Sequence, residues 1–254
     1  MMPLMSDIGS GVLFFFRIIE VWRKKSVPRE LMFQQIWKVT TQSALTTAIA
    51  GFFVGAIMTV QFTMELKDFG ALSFLGGLAT SATLREVGPM LIAFMLAGKV
   101  GAFTSAELGT MRVTEQIDAL RCLGADPIQE LVVPRFIAII ISSFFLLGLG
   151  LVLSVFGGAF LGDIFARVNP QEYVRHIPGV VTWPSVLTGL SKCFVFAVVL
   201  SAICTYRGYT AKGGAKGVGL SVVKTSVSTM VAIVLADWLT SFIAEIILRV
   251  SLWL

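Results

Sequence analysis

The sequence predicts an all-α integral membrane protein: an N-terminal interfacial helix, five transmembrane helices, and a short cytoplasmic helix between the second and third spans. Three observations carry that reading. Of 254 residues, 56% are apolar and only 14% are charged, and the mean hydropathy is +0.86. Soluble domains carry about 25% charged residues, so this chain lacks the material for a water-facing surface. The apolar residues are gathered into five long stretches with few or no charges, and Lys and Arg cluster in alternate connections. A soluble enzyme, a disordered tail and a coiled coil are excluded. Each crossing uses roughly 20 apolar residues, so residues 1–254 make one membrane domain with no room for a soluble one.

The N-terminal segment, about 8–25, has an apolar run too short to cross and ends in Arg23-Lys24-Lys25. Such a segment lies in the headgroup plane. A signal peptide would carry its charges before the apolar run and a small-residue cleavage site after it, and neither is present. The first span, 39–64, is the 26-residue uncharged run between Lys38 and Glu65. The second, 69–98, is apolar except for Arg85 and Glu86, and reads as one long or broken span. The third, 136–162, is uncharged; the fourth, 186–206, holds only Lys192; the fifth, 220–247, holds Lys224, Asp237 and Glu245. With the N-terminus inside, cytoplasmic segments hold thirteen Lys and Arg and outer segments four, which places the N-terminus in the cytoplasm and the C-terminus in the periplasm.

Between Gly98 and Arg135, Val113, Ile117 and Leu120 recur at helical spacing, with Arg112, Glu115, Gln116 and Asp118 directed elsewhere. Asp118 and Arg121 stand at i, i+3 and can pair. Gly124 is placed as a helix stop and Asp126-Pro127 as the next start. By spacing alone this is either a solvated loop helix or a docking element for a partner. Glu107, Glu115 and Asp118 lack the histidine company of a transition-metal site and face water.

Cys122, Cys193 and Cys204 form no C-x-x-C pair, and His176 is the single histidine, so neither a disulfide framework nor a metal cluster is indicated. No G-x-x-x-x-G-K-[ST] run is present, so Gly213–Gly219 reads as a flexible connection and ATP hydrolysis is left to another polypeptide. Ser142 and Ser143 have no evident base, and neither a G-x-S-x-G nor an H-E-x-x-H occurs. The chain is therefore not expected to be an enzyme.

Charges in the spans need partners, since each costs on the order of 2.5–3.5 kcal/mol near the bilayer centre. Lys192 and Lys224 are candidate partners for Glu86, and Asp237 for Arg85 or a lysine. These five residues form either a buried structural network or part of a substrate path. Phe52, Phe53, Met58 and Phe62 are candidate apolar lining, and Gly51/Gly55 and Gly158/Gly162 have the spacing of close helix approach.

The residues Leu84-Arg85-Glu86-Val87-Gly88-Pro89-Met90, Ala97–Ala102, the run Ala106–Leu120, Asp126-Pro127, Val133-Pro134-Arg135, Gly208-Tyr209 and Gly214–Gly219 resemble, in order, the MlaE (YrbE) type permeases of ATP-binding-cassette lipid transporters. The resemblance runs from about residue 30 to residue 247 and departs at Lys99, where the family usually has Arg, and in the individual first 25 residues. It implies a bacterial inner-membrane homodimer that moves glycerophospholipids between inner and outer membranes and bears on lipid asymmetry. It implies as partners an ATPase subunit, which would bind ATP and Mg, and a periplasmic ring of MCE-domain protein; this chain would bind no cofactor. By the same resemblance the loop helix is the coupling helix, with Glu107, Arg112, Glu115, Gln116, Asp118 and Leu120 toward the ATPase, and Arg85 and Glu86 adjoin the substrate cavity. The alternative is a secondary transporter using Glu86 and Asp237 as ion-coupling carboxylates, although no internal repeat is found.

Overall fold

A computed structural model describes residues 2–24 and 29–253 and is helical throughout, with no strand among the described residues. The elements are α1 (Met2–Lys24), α2 (Arg29–Asp68), α3 (Leu72–Val113), α4 (Gln116–Cys122), α5 (Ile128–Ala166), α6 (Pro170–Arg175), α7 (Ile177–Val180), α8 (Trp183–Tyr209) and α9 (Gly214–Trp253). Five of them, α2, α3, α5, α8 and α9, are long and apolar enough to cross a membrane. The 27 residues of α8 rise about 40 Å at 1.5 Å each, more than the roughly 30 Å hydrocarbon core requires. The number of spans agrees with the sequence reading.

Four of the five expected spans are the inner parts of longer helices, because charge marks where the bilayer ends and the backbone hydrogen-bond ladder continues past it. The helix that carries most of the second expected span begins at Leu72 and runs unbroken to Val113. Phe69–Ala71 form the turn that closes α2: Gly70 has φ +67°, its N–H donates to the Lys67 carbonyl, and the Ala71 N–H donates to that of Leu66. This is a Schellman ending, which a glycine accommodates without strain. Gly124 (φ +78°) closes α4 in the same way, with bonds to Arg121 and Leu120. Asp126 then caps α5 by accepting the Ile128 N–H at 3.1 Å. Three wide π-turns, Thr83–Val87, Ala97–Gly101 and Ile128–Val132, lie within α3 and α5. The expected N-terminal helix is α1; Lys25 lies outside the described residues.

The chain divides into two compact units, and every long helix contributes a stretch to each. One unit comprises Met1–Gln42, Leu96–Ser143 and Ala197–Ala232. Its core joins Ile18 of α1 to Ile128, Val132, Val133 and Phe136 of α5, with Phe14, Phe15 and Val21 packed around them. Hydroxyls satisfy one another inside it: Thr225 donates to Ser105 at 2.9 Å, and Ser221 donates to the Arg207 carbonyl at 2.8 Å. Ser201 donates to the Phe136 carbonyl at 2.7 Å, and Ser142 bonds both Thr40 and the Ile36 carbonyl. Ser142 is therefore a structural hydroxyl.

The other unit comprises Ser43–Met95, Phe144–Phe196 and Ile233–Leu254. Here Gly51 and Gly55 lie directly on the backbone of Gly150 and Ser154, so that any added Cβ would overlap a carbonyl oxygen. That is the close approach their spacing predicts. Gly158 and Gly162 serve a different purpose, forming a bed for Tyr173 of α6, whose hydroxyl bonds Thr59 at 2.9 Å. Asn169 caps α6 by accepting the Gln171 N–H, with Pro170 in the first turn.

Candidate substrate and coupling sites

Within the second unit, α3, α8 and α9 bring three charges together. The Lys192 ammonium, completely buried, donates to Glu86 at 2.6 Å and lies 2.9 Å from Asp237; the two carboxylate side chains are 48% and 17% exposed. The Glu86 contact is an aligned hydrogen bond. The contact to Asp237 is close but misaligned, because its Oδ1 is buried without hydrogen-bond geometry to any partner, so it acts as an ion pair. Ser241 adds a hydrogen bond to Glu86 at 3.2 Å.

Glu86 sits in the π-turn Thr83–Val87 with Arg85. Arg85 is partly buried and has no hydrogen-bond or ion-pair partner among the described residues. The expected pairing of Glu86 with Lys192 is thus present, and Asp237 joins the same lysine instead of Arg85. Lys224 belongs to the first unit, where its charge acts on the Asp7 carboxylate.

The same unit contains an apolar groove of about 590 Å³, lined by Leu84, Phe144, Gly148, Val152, Val186 and Leu190 among others. None of the four residues expected to line a cavity borders it. Phe52 packs its ring against Phe53 and Phe160, and Phe62 packs beside the Leu75–Val168–Tyr173 cluster. The sequence signal for the groove was weak, since its wall combines residues from three helices that look like any other apolar positions.

In the first unit, the segment expected as one amphipathic loop helix is two pieces. Val113 ends α3, and Glu115, with φ +61°, turns the chain by a left-handed residue before α4 begins at Gln116. Val113, Ile117 and Leu120 therefore do not form one stripe. Ile117 is fully buried and Leu120 partly so, while Glu115 and Gln116 are exposed. Leu123, just after α4, is 82% exposed.

Asp118 accepts from Arg112 at 2.8 Å and from Arg121 at 3.1 Å, and Arg121 also donates to the Tyr209 hydroxyl at 2.8 Å. That last bond holds the Arg121 guanidinium above its ordinary pKa. Glu107 lies elsewhere: it is inside α3, bonded to Arg135 at 3.1 Å and Lys38 at 3.3 Å, with the Lys38 ammonium 4.7 Å over the Phe103 ring. Its carboxylate is bonded within its own chain. Among the described residues no group of three His, Cys, Asp or Glu side chains is placed to hold a metal.

α1 is fastened to the same region. Asp7 accepts from Arg207 at 2.6 Å and Tyr206 at 3.0 Å, and Phe14 lies between the rings of Tyr206 and Tyr209, 5.7 and 5.3 Å away. Burial raises the Asp7 carboxyl pKa, but the bonds from Arg207 and Tyr206 outweigh it and hold the group below its ordinary value. Asp7 carried no sequence signal, since its partners lie 199 and 200 residues away.

The family model for permease MlaE matches residues 32–243, which include the charge cluster and the α4 turn. The chain belongs to the MlaE permease family. It is 36% identical over 217 residues to a probable ABC transporter permease protein of Synechocystis, covering 85% of this chain and 82% of that one. It is 29% identical over 252 residues to the intermembrane phospholipid transport system permease protein MlaE of Haemophilus influenzae, covering 94% and 96%. It is also 32% identical over 237 residues to the chloroplastic protein trigalactosyldiacylglycerol 1 of Arabidopsis thaliana, covering 87% and 68%. As an MlaE-family permease with five apolar helices, the chain is a multi-pass membrane protein of the ABC transporter class.

Proposed function

We propose that this MlaE-family chain is the transmembrane subunit of an ATP-driven transporter of glycerophospholipids between inner and outer membranes. In this reading it sits in a bacterial inner membrane as a homodimer, with the N-terminus cytoplasmic and the C-terminus periplasmic. ATP and Mg bind an ATPase subunit docked on α4, and a periplasmic MCE-domain ring receives or delivers the lipid.

The observation that carries the substrate assignment is the charge balance close along the chain to Leu84 and Leu190 of the apolar groove. Lys192 is already shared by two carboxylates, so it has little left for a ligand, whereas Arg85 is a partly buried guanidinium with no partner among the described residues. A phosphodiester satisfies a guanidinium in bidentate fashion, and acyl chains suit an apolar groove of about 590 Å³. The ion-coupled alternative is disfavoured by the same fact, because Glu86 and Asp237 are both committed to Lys192.

Two variants in the assembled complex test the reading. Arg85→Gln should lower ATP-dependent transfer of labelled phosphatidylglycerol between vesicles about tenfold, the worth of one charge-assisted bond, while the ATPase still co-purifies; unchanged transfer refutes the headgroup assignment. Glu115→Lys with Leu123→Asp changes exposed positions beside α4 and should abolish ATPase co-purification. Retention of the ATPase would remove α4 as its dock.

A further inference from the structure

Resting on the coupling reading above, we infer that Tyr209 is a positioning residue that transmits movement of α4 to the end of α8. The geometry is a chain of contacts inside the first unit. One guanidinium, that of Arg121, bonds both Asp118 of its own helix and the hydroxyl of Tyr209, the last residue of α8. Asp118 in turn holds Arg112 at the end of α3. Beside Tyr209, Gly208 lies so close to α3 that an added Cβ would fall 2.8 Å from the Leu108 Cβ and 3.1 Å from the Ser105 carbonyl oxygen. The end of α8 is thus pressed against α3 by its backbone and tied to α4 by the Tyr209 phenol.

The ring of Tyr209 also meets Phe14 of α1, and α1 returns to α8 through Asp7 with Tyr206 and Arg207. A displacement of α4 therefore reaches both α8 and α1 through Tyr209. Asp118 and Arg121 are about half exposed, and exposed bonds of this kind contribute little to stability. A relay in which Asp118 holds Arg121 and Arg121 reaches Tyr209 fits a mechanical link better than a source of stability.

The test uses the permease with its ATPase in nanodiscs and measures ATPase co-purification, ATP turnover, lipid moved per ATP and the unfolding midpoint. Tyr209→Phe keeps the ring against Phe14 and removes only the acceptor. It should retain the ATPase, its hydrolysis and the midpoint, and lower lipid moved per ATP about five- to tenfold, the lower range of ordinary coupling energies. Arg121→Leu, which removes the donor, should lower the ratio to the same extent, and the double variant should fall no further. A wild-type ratio in Tyr209→Phe, or a further fall in the double variant, overturns the inference. A fall in midpoint together with all activities reassigns Tyr209 to stability and overturns it too. Failure of the coupling reading is separate: the wild-type permease would then not hold the ATPase, or the Glu115→Lys/Leu123→Asp variant would still hold it.

Discussion

Replacing Lys192 by Met tests the charge cluster most directly, because the two side chains have similar reach and differ chiefly in charge. The wild-type ammonium is completely buried between a carboxylate that is 17% exposed and one that is 48% exposed. Removing one member of a buried pair costs about 3–5 kcal/mol, whereas replacing both members is close to neutral. Most of that cost falls on Asp237; the half-exposed Glu86 pair is worth about 0–1 kcal/mol. Removing the lysine also relieves its burial cost, about 2.5–3.5 kcal/mol on insertion scales.

That relief is common to Lys192→Met and to Lys192→Met/Asp237→Asn, so the difference between the two variants isolates the orphaned carboxylate. The double variant should be more stable than the single one by about 3 kcal/mol, roughly a hundredfold in the unfolding equilibrium at about 1.4 kcal/mol per factor of ten. Equilibrium unfolding in mixed micelles, followed by tryptophan fluorescence, measures it. If Lys192→Met is as stable as the double variant, Asp237 does not depend on Lys192 and the reasoning fails.

Gly55→Ala drives a Cβ into the Ser154 backbone and should destabilise by about 3 kcal/mol or more, the upper end of overpacking costs, whereas Gly219→Ala, with nothing within 4 Å, should gain about 0.5–1 kcal/mol; unfolding titrations measure both. Gly124→Ala forces a side chain into φ +78° and should cost about 1–2 kcal/mol by the same measurement. Tyr173→Phe removes the bond to Thr59 and should cost about 1–3 kcal/mol, because the buried Thr59 hydroxyl loses that partner, read as a lower thermal midpoint. The Asp7 carboxyl titrates below its ordinary 3.8 in the folded protein, so the anchor of α1 is complete above that value and is lost as pH falls through the depressed folded one. Proteolysis of α1 should accelerate only below about pH 4, and Asp7→Asn should remove that pH dependence.

The helices were legible because uncharged runs of this length have one explanation. Their ends were not, because Lys99, Glu107 and Arg112 look like loop residues although α3 continues through them. A charged residue on a helix beyond the bilayer costs nothing, so composition could not separate helix from loop there. Gly124 was readable as a stop because Asp126-Pro127 follows it; Gly70, next to Phe69 at the edge of an apolar run, was absorbed into the span. The bonds of Glu107 carried no sequence signal, because its partners Arg135 and Lys38 lie 28 and 69 residues away. The kink at Glu115 had no signal either, since left-handed backbone is usually announced by Gly or Asn.

The π-turn Thr83–Val87 gives the cluster its asymmetry. Adjacent residues on a helix point in different directions, so Arg85 and Glu86 cannot neutralise each other by facing one another. Glu86 is drawn to Lys192, which also holds Asp237, and these three together carry one net negative charge. Arg85, the fourth charge, balances that sum without forming an ion pair among the described residues. In an apolar medium such a division is costly compared with direct pairing, and a purely structural network would gain by closing it. An anion at Arg85 would give that guanidinium a direct partner without disturbing the brace that Lys192 makes among α3, α8 and α9. The cluster thus reads as a fixed three-membered support with one cation held ready beside it.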